Sequence, residues 1–401
     1  MIARRVPAFA ALAVAVASAY ADDAPGVTAT EIKIGHTNAL SGPAAQYGLL
    51  GRADMAYFKM VNDNGGINGR KVKLLVVDDE YSPPKSVEAA RKLIEQEQVA
   101  LMFGSFGTPT QSAQAPYLNK KGVPHLFLGT GADKWTDVKT FPWSMGFQPS
   151  FRTEARLYAK HLLQHNPNAK IGVLYQNDDF GKDYLKGVED IRANSKGKHT
   201  LKAVSYESAD ATIDSQIVSL HGADVDVVVL AAIPKFAAQA IRKISELNWK
   251  PIVYISLGAS QVPTTTEPAK GKADVMLLSG AYAKLPSDPA WAQDAGMKQY
   301  LGFMQKYMPG EDVNNPLPAL AFNTSALLTD ILKKAGSDLS RENILKQAES
   351  LRGVQLPMLL PGITVDTSRT DHAPIEQVQI VRWDGGRWVP LGGVLSLTSD
   401  R

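Results

Sequence analysis

Residues 99–112 read Val99-Ala-Leu-Met-Phe-Gly-Ser-Phe-Gly-Thr-Pro-Thr-Gln-Ser112 (VALMFGSFGTPTQS). Five apolar residues without alternation predict a strand covered on both faces, as in a parallel sheet. Small and hydroxyl residues follow and lead into a predicted helix from about Gln111 to Asn119. Strand, tight turn and helix start in that order expose unsatisfied N–H groups at the positive end of a helix dipole, which suits an anion. The turn lacks the lysine of a glycine-rich phosphate loop, so a singly charged anion fits it better than a phosphate.

The same alternation extends on both sides. Towards the N-terminus, Glu31–Gly35 and Val72–Val77 read as strands, with helices ending near Asn62 and opening at Pro83-Pro84. Pro124–Leu128 supplies a fourth strand, and strands with crossover helices predict a parallel, doubly wound sheet. The pattern then restarts: helix Glu154–Leu163, strand Lys170–Tyr175, helix Phe180–Ile191, strands Leu201–Ser205, Asp226–Leu230 and Pro251–Ile255, with helices Ile213–Leu220 and Lys235–Leu247 between them. The remainder is more helical (Pro289–Tyr307, Pro318–Ala335, Arg341–Ser350) and closes on a hairpin, Val378–Trp383 with Arg387–Val389 around Asp384-Gly-Gly386. The expected fold class is α/β, two doubly wound parallel-sheet lobes between which the chain crosses more than once.

Arg4 and Arg5 precede the apolar segment Val6–Val16 and the small residues 17–21, the order of a secretory signal peptide spanning 1–21. Removing it takes the net charge from +3 to +1, which gives no electrostatic reason to bind nucleic acid. The chain has no cysteine, so an exported form relies on its core alone.

A catalytic set is absent from the sequence. Thiol chemistry is excluded, and neither a G-x-S-x-G elbow nor a P-loop occurs. His161 and His165 have metal-compatible i, i+4 spacing, but no glutamate lies between them and no third ligand stands out, so a solvated helix end is expected. Asp78-Asp79-Glu80 and Asn177-Asp178-Asp179 end strands and match no calcium loop; capping is the simpler reading. No cofactor or metal is implied.

In order and spacing, Ile32-Lys-Ile-Gly35, Leu40-Ser-Gly-Pro-Ala-Ala-Gln-Tyr-Gly48, Val61-Asn-Asp-Asn-Gly-Gly-Ile-Asn-Gly69 and Lys170-Ile-Gly-Val-Leu-Tyr-Gln-Asn-Asp-Asp-Phe-Gly181 resemble the periplasmic substrate-binding proteins of branched-chain amino acid ABC importers. The resemblance covers nearly the whole chain beyond the signal. It implies a type I clamshell with three hinge crossings, lobe one at 22–148 plus 281–370 and lobe two at 149–280 plus 371–401. It also implies a small-molecule carboxylate ligand, an inner-membrane ABC permease as partner, a periplasmic location, a monomer, and no enzyme activity. The carboxylate-binding turns of the family correspond to Ser105-Phe-Gly-Thr108 and Gly129-Thr130-Gly131. The bland alternative is that Thr108 and Thr110 merely cap a helix.

At the amino end the chain departs from the family. The positions that hold an ammonium with a tyrosine and an acid align with Ile233 and Leu257, and a usually aromatic third position with Phe180. Burying an ammonium without an acceptor is costly. An amino-free aromatic or hydrophobic acid is therefore favoured over a branched-chain amino acid. Tyr47, Phe106, Trp143, Phe151 and Phe180 are candidates to line the cleft, against ordinary core packing. A ligand sensor feeding a receptor is the second reading, and an exported hydrolase the third.

Overall fold

The computed structural model describes residues 24–260, 262–266 and 275–397. The segment 1–21, read as an export signal, lies outside them. Strands β1 (Glu31–Asn38), β2 (Lys71–Asp78), β3 (Leu101–Phe103), β4 (His125–Leu128) and β5 (Ser144–Gly146) form one sheet in the order β2-β1-β3-β4-β5. All its pairings are parallel. The fifth strand was not anticipated, because three residues are too short to show a period. Helices α1 (Gly48–Asp63), α2 (Pro83–Arg91) and α3 (Thr108–Lys120) make the crossovers. The start of α3 lies three residues before the predicted Gln111. Pro109 belongs to its first turn, where a missing N–H costs nothing and the fixed φ is already helical.

The second sheet holds β6 (Lys170–Gln176), β7 (Thr200–Tyr206), β8 (Val227–Ala231), β9 (Ile252–Ile255), β10 (Met276–Ala281), β11 (Gln377–Trp383) and β12 (Trp388–Ser396), ordered β7-β6-β8-β9-β10-β11-β12. Strands from β7 to β10 pair in parallel, whereas β11 and β12 are antiparallel additions at one side. Every residue of β8 is buried, as expected for a central strand covered on both faces. Each valine there contributes roughly 1.5–3 kcal/mol by leaving water, an upper estimate for any real unfolded chain. Helices α4 (Phe151–His165), α5 (Asp179–Asn194), α6 (Asp214–Gly222) and α7 (Pro234–Glu246) complete this body.

The late helices α8 (Ala295–Tyr307), α9 (Pro316–Ala335) and α10 (Arg341–Ala348) return to the first body. Tyr57 of α1 meets Phe303 and Phe322 edge-on or tilted, and Ser325 donates to Asp54 at 2.8 Å. The chain thus leaves the first sheet after β5, returns after β10 and leaves again before β11. The acidic strand ends act as caps and ties. Asp178 accepts from Gly181 N–H, and Asp78 accepts from the N–H groups of Leu40, Ser41 and Glu80. His161 is not a solvated helix end: its Nδ1 lies 2.8 Å from the Tyr254 hydroxyl, and the His161 carbonyl takes His165 Nδ1.

Candidate ligand-binding cleft

The carboxyl ends of the two sheets face each other, where ligands of open α/β sheets sit. Between them lies a cavity of about 100 Å³. The first body contributes Tyr47, Tyr81, Phe106, Thr108, Gly129 and Thr130, with Leu317 and Leu320 of α9. The second contributes Phe151, Phe180, Ile233, Ser256, Leu257 and Gly258, and Gln148 and Tyr282 come from the crossings. Among the described residues, none that lines the cavity is Asp, Glu, Lys, Arg or His.

Thr108 and Thr130 are both buried, and their hydroxyl oxygens lie 2.6 Å apart. One hydroxyl donates to the other, so the pair retains one proton without an acceptor among the described residues. Thr130 Oγ1 also accepts from Ala132 N–H. Gly107 is the N-cap of α3 at φ +105°, a conformation that favours glycine, and no side chain caps this helix. Capping by Thr108 and Thr110 is therefore not what these residues do: Thr110 donates back to the Phe106 and Gly107 carbonyls. The Thr108 and Thr110 N–H groups begin the helix, and Pro109 has none. Neutral donors at a dipole start can hold a carboxylate without a formal counter-charge.

A buried amide network fixes this turn from behind. Gln111 Nε2 donates to the Phe106 carbonyl at 2.9 Å and to Thr37 Oγ1 at 3.2 Å, and Gln114 Nε2 reaches Thr37 Oγ1 at 2.8 Å. Gln111 Oε1 is left to face His125 Nε2 at 3.0 Å, which places the proton of that histidine on Nε2. Burial pushes the His125 imidazole down to about 3, so it stays neutral. Nothing in the spacing of Gln111, Gln114 and His125 announced this network; the parallel pairing of β3 with β1 and β4 assembles it.

The opposite wall has its polar groups engaged with the protein itself. Ile233 N–H donates to Tyr206 Oη at 3.1 Å, and Leu257 N–H to Glu154 Oε1 at 2.8 Å. Glu154 also accepts from the Tyr158 hydroxyl, and burial raises its carboxyl above the ordinary range. Ser256 Oγ donates to the Ala232 carbonyl. What reaches the cavity is the apolar body of Ile233 and Leu257, beside the Phe151–Phe180 pair with ring centroids 4.8 Å apart.

Contacts across the cleft join the two bodies. The Tyr47 hydroxyl donates to the Gly258 carbonyl at 2.8 Å, and Ser112 Oγ to Asp179 Oδ2 at 3.1 Å. Lys134 Nζ also pairs with Asp179 Oδ2 at 2.6 Å. Gln176 Nε2 donates to Tyr81 Oη at 3.2 Å. Asp183 Oδ2 accepts from Asp133 N–H, and burial with two neighbouring carboxylates pushes its carboxyl up to about 7.

Of the expected residues, Tyr47, Phe106, Thr108, Gly129, Thr130, Phe180, Ile233 and Leu257 line the cavity. Ser105 and Gly131 do not. Ser105 Oγ is turned into the sheet, where it accepts from Thr37 N–H at 3.1 Å. Gly131 lies under the crossing, its carbonyl accepting from Phe151 N–H, and a Cβ there would sit 2.8 Å from the Pro149 carbonyl. The second turn also leads only into the single 3₁₀ turn Asp133–Thr136, not into an α-helix. Trp143 is away from the cavity, its ring over Gly122. Tyr81, Gln148, Ser256, Tyr282 and the α9 residues were missed: none belongs to a quoted motif, and α9 reaches the site only through tertiary packing.

The family model for periplasmic binding proteins matches residues 31–387. The chain belongs to the periplasmic binding protein family. Within it, Leu/Ile/Val-binding protein homolog 7 of Brucella abortus is 27% identical over 271 residues, 65% of this chain; the match spans 66% of that relative, just under two thirds. The solved structure described as a branched chain amino acid ABC transporter from Thermus thermophilus with bound valine superposes with a TM-score of 0.81 at 15% identity, covering 92% of this chain and 97% of that one. A fatty acid ABC transporter substrate-binding protein from Thermomonospora curvata superposes with a TM-score of 0.79 at 20% identity, covering 93% and 94%. At such identities the shared property is the fold, and this periplasmic binding protein presents its own cavity chemistry.

Proposed function

We propose that this protein is the exported receptor of an ABC importer, one that traps a small carboxylate without an amino group between lobes 22–148 plus 281–370 and 149–280 plus 371–401. It then delivers that acid to an inner-membrane permease and does no chemistry on it. The observation that carries the reading is the cavity lining. A hydroxyl pair with an unused proton and a helix start lie on one wall, apolar side chains lie on the other, and among the described residues no carboxylate lines the cavity to meet an ammonium. Glu154, behind Leu257, is already engaged with Leu257 N–H and Tyr158. An ammonium brought there would lose its hydration without a replacement.

The amino acid reading keeps two observations in its favour, the naming of the Brucella relative and the valine in the Thermus structure. Titration calorimetry separates the two. Benzoate and medium-chain aliphatic acids are expected to bind, and leucine and valine to bind at least tenfold more weakly. Tight leucine binding with no heat from the acids would reverse the assignment.

A further inference from the structure

Tyr81 was not part of any motif, yet it lines the cavity and is buried. Its backbone is unusual: Glu80 and Tyr81 stand consecutively at φ +53° and +58°, the left-handed region that non-glycine residues rarely adopt. The conformation is held from both sides. Asp78 Oδ1 accepts from Glu80 N–H at 2.9 Å and Asp79 Oδ1 from Tyr81 N–H at 2.9 Å. The ring lies against Gly107, where any Cβ would come within 2.8 Å of it, and stacks on Phe106 at a centroid distance of 6.0 Å. Backbone strain maintained this firmly marks a position whose side chain has a task.

The hydrogen bonds around its hydroxyl have determined directions. Gln176 Nε2 lies 2.7 Å from Asp178 Oδ2, and a carboxylate accepts, so this end of the amide is the nitrogen. The same nitrogen therefore donates to Tyr81 Oη, while Gln176 Oε1 accepts from the Tyr206 hydroxyl at 3.0 Å and Tyr206 Oη accepts from Ile233 N–H. The phenol oxygen of Tyr81 is an acceptor in this chain, and its own proton has no partner among the described residues. Burial and the nearby Asp178 carboxylate hold the phenol well above its ordinary range, so the proton is retained.

We propose that Tyr81 is a specificity-determining residue, donating its hydroxyl proton to a second oxygen on the ligand, a carbonyl, ether or hydroxyl oxygen apart from the carboxylate. The ligand class is thus an oxygen-substituted hydrophobic acid, not a plain hydrocarbon acid. This rests on the carboxylate reading of the site above. Gln176, by accepting from Tyr206 and donating to Tyr81, orients the phenol across the cleft, so recognition of that oxygen requires both bodies.

Size-matched acid pairs in which one oxygen replaces one carbon test the assignment by calorimetry: 4-methoxybenzoate against 4-ethylbenzoate, and 4-oxopentanoate against 4-methylpentanoate. Wild-type protein is expected to favour the oxygen-bearing member of at least one pair by about fivefold. Tyr81→Phe, which removes only the hydroxyl, is expected to erase that preference while binding the hydrocarbon member within twofold of wild type. Equal binding within both pairs by wild type overturns the proposal without any variant, and so does a preference that survives Tyr81→Phe. If wild type binds none of the four acids nor benzoate, the carboxylate reading falls and the Tyr81 assignment falls with it.

Discussion

The two walls of the cavity are built from the same parts, strand ends running into helix starts, and they offer a ligand opposite chemistry. On the first, Gln111 holds the Phe106 carbonyl of the turn while Gln114 and Ser105 tie to Thr37 of β1, which leaves the Thr108–Thr130 pair facing the cavity with a proton to give. On the second, Tyr206, Glu154 and Ser256 also hold backbone groups, but Ile233 and Leu257 are what face inward. The difference teaches that polarity near a site is not polarity in it. A carboxylate such as Glu154 one layer back stabilises a loop and contributes no recognition.

The largest expected effect comes from making the walls alike. Ile233→Glu places a carboxyl in the apolar wall, and repulsion plus desolvation should cost acid binding about 2–3 kcal/mol, roughly 30- to 150-fold by calorimetry. The same variant should gain measurable affinity for leucine; if acid binding is unchanged, Ile233 does not face the ligand. Gln111→Leu attacks the support of the polar wall. It strands His125 Nε2 and leaves the Phe106 carbonyl with Thr110 as its remaining donor, and chemical denaturation should read a loss of about 1–3 kcal/mol in stability. An undiminished midpoint would mean that the buried network does not hold the turn.

Thr108→Ala is milder, about 1 kcal/mol or fivefold in affinity, with Thr108→Ser restoring most of it. Unaltered affinity in Thr108→Ala would assign the carboxylate to backbone N–H groups alone. A pH dependence, read on stability and not on affinity, concerns Asp79, whose carboxyl burial pushes up to about 7 beside Tyr81. The folded state then holds a proton that the unfolded state releases from about pH 4 upward. Stability from this group is present below that pH and is lost as pH rises through 7. Asp79→Asn keeps the acceptor oxygen and should flatten the pH dependence of the unfolding midpoint between pH 4 and 7; a slope identical to wild type would contradict the shift.

The doubly wound architecture was readable because β3, β6 and β8 are apolar and are flanked by helices whose period is near 3.6. Strands β5 and β10 escaped for different reasons. One is three residues long, and the other carries Ser279 and Gly280 next to the crossing, which breaks its apolar run. Among the cavity residues, Thr108 and Thr130 could be read from the strand-to-helix turns that follow β3 and β4, and Ile233 from its alignment with the family. Ser105 stands in the same turn but points the other way, and only the backbone conformation at Gly104 and Gly107, both at positive φ, decides that. Tyr81 is hidden by the same cause, since consecutive left-handed residues have no sequence signature outside glycine and asparagine.

Tyr47 closes the cleft on a carbonyl, that of Gly258, and not on a side chain. Every residue type carries that oxygen. The loop 256–260 can therefore exchange its side chains over generations while the hydroxyl that bridges the two bodies keeps its acceptor. What lines the cavity there and what joins the two bodies are written in separate atoms, so one can change without disturbing the other.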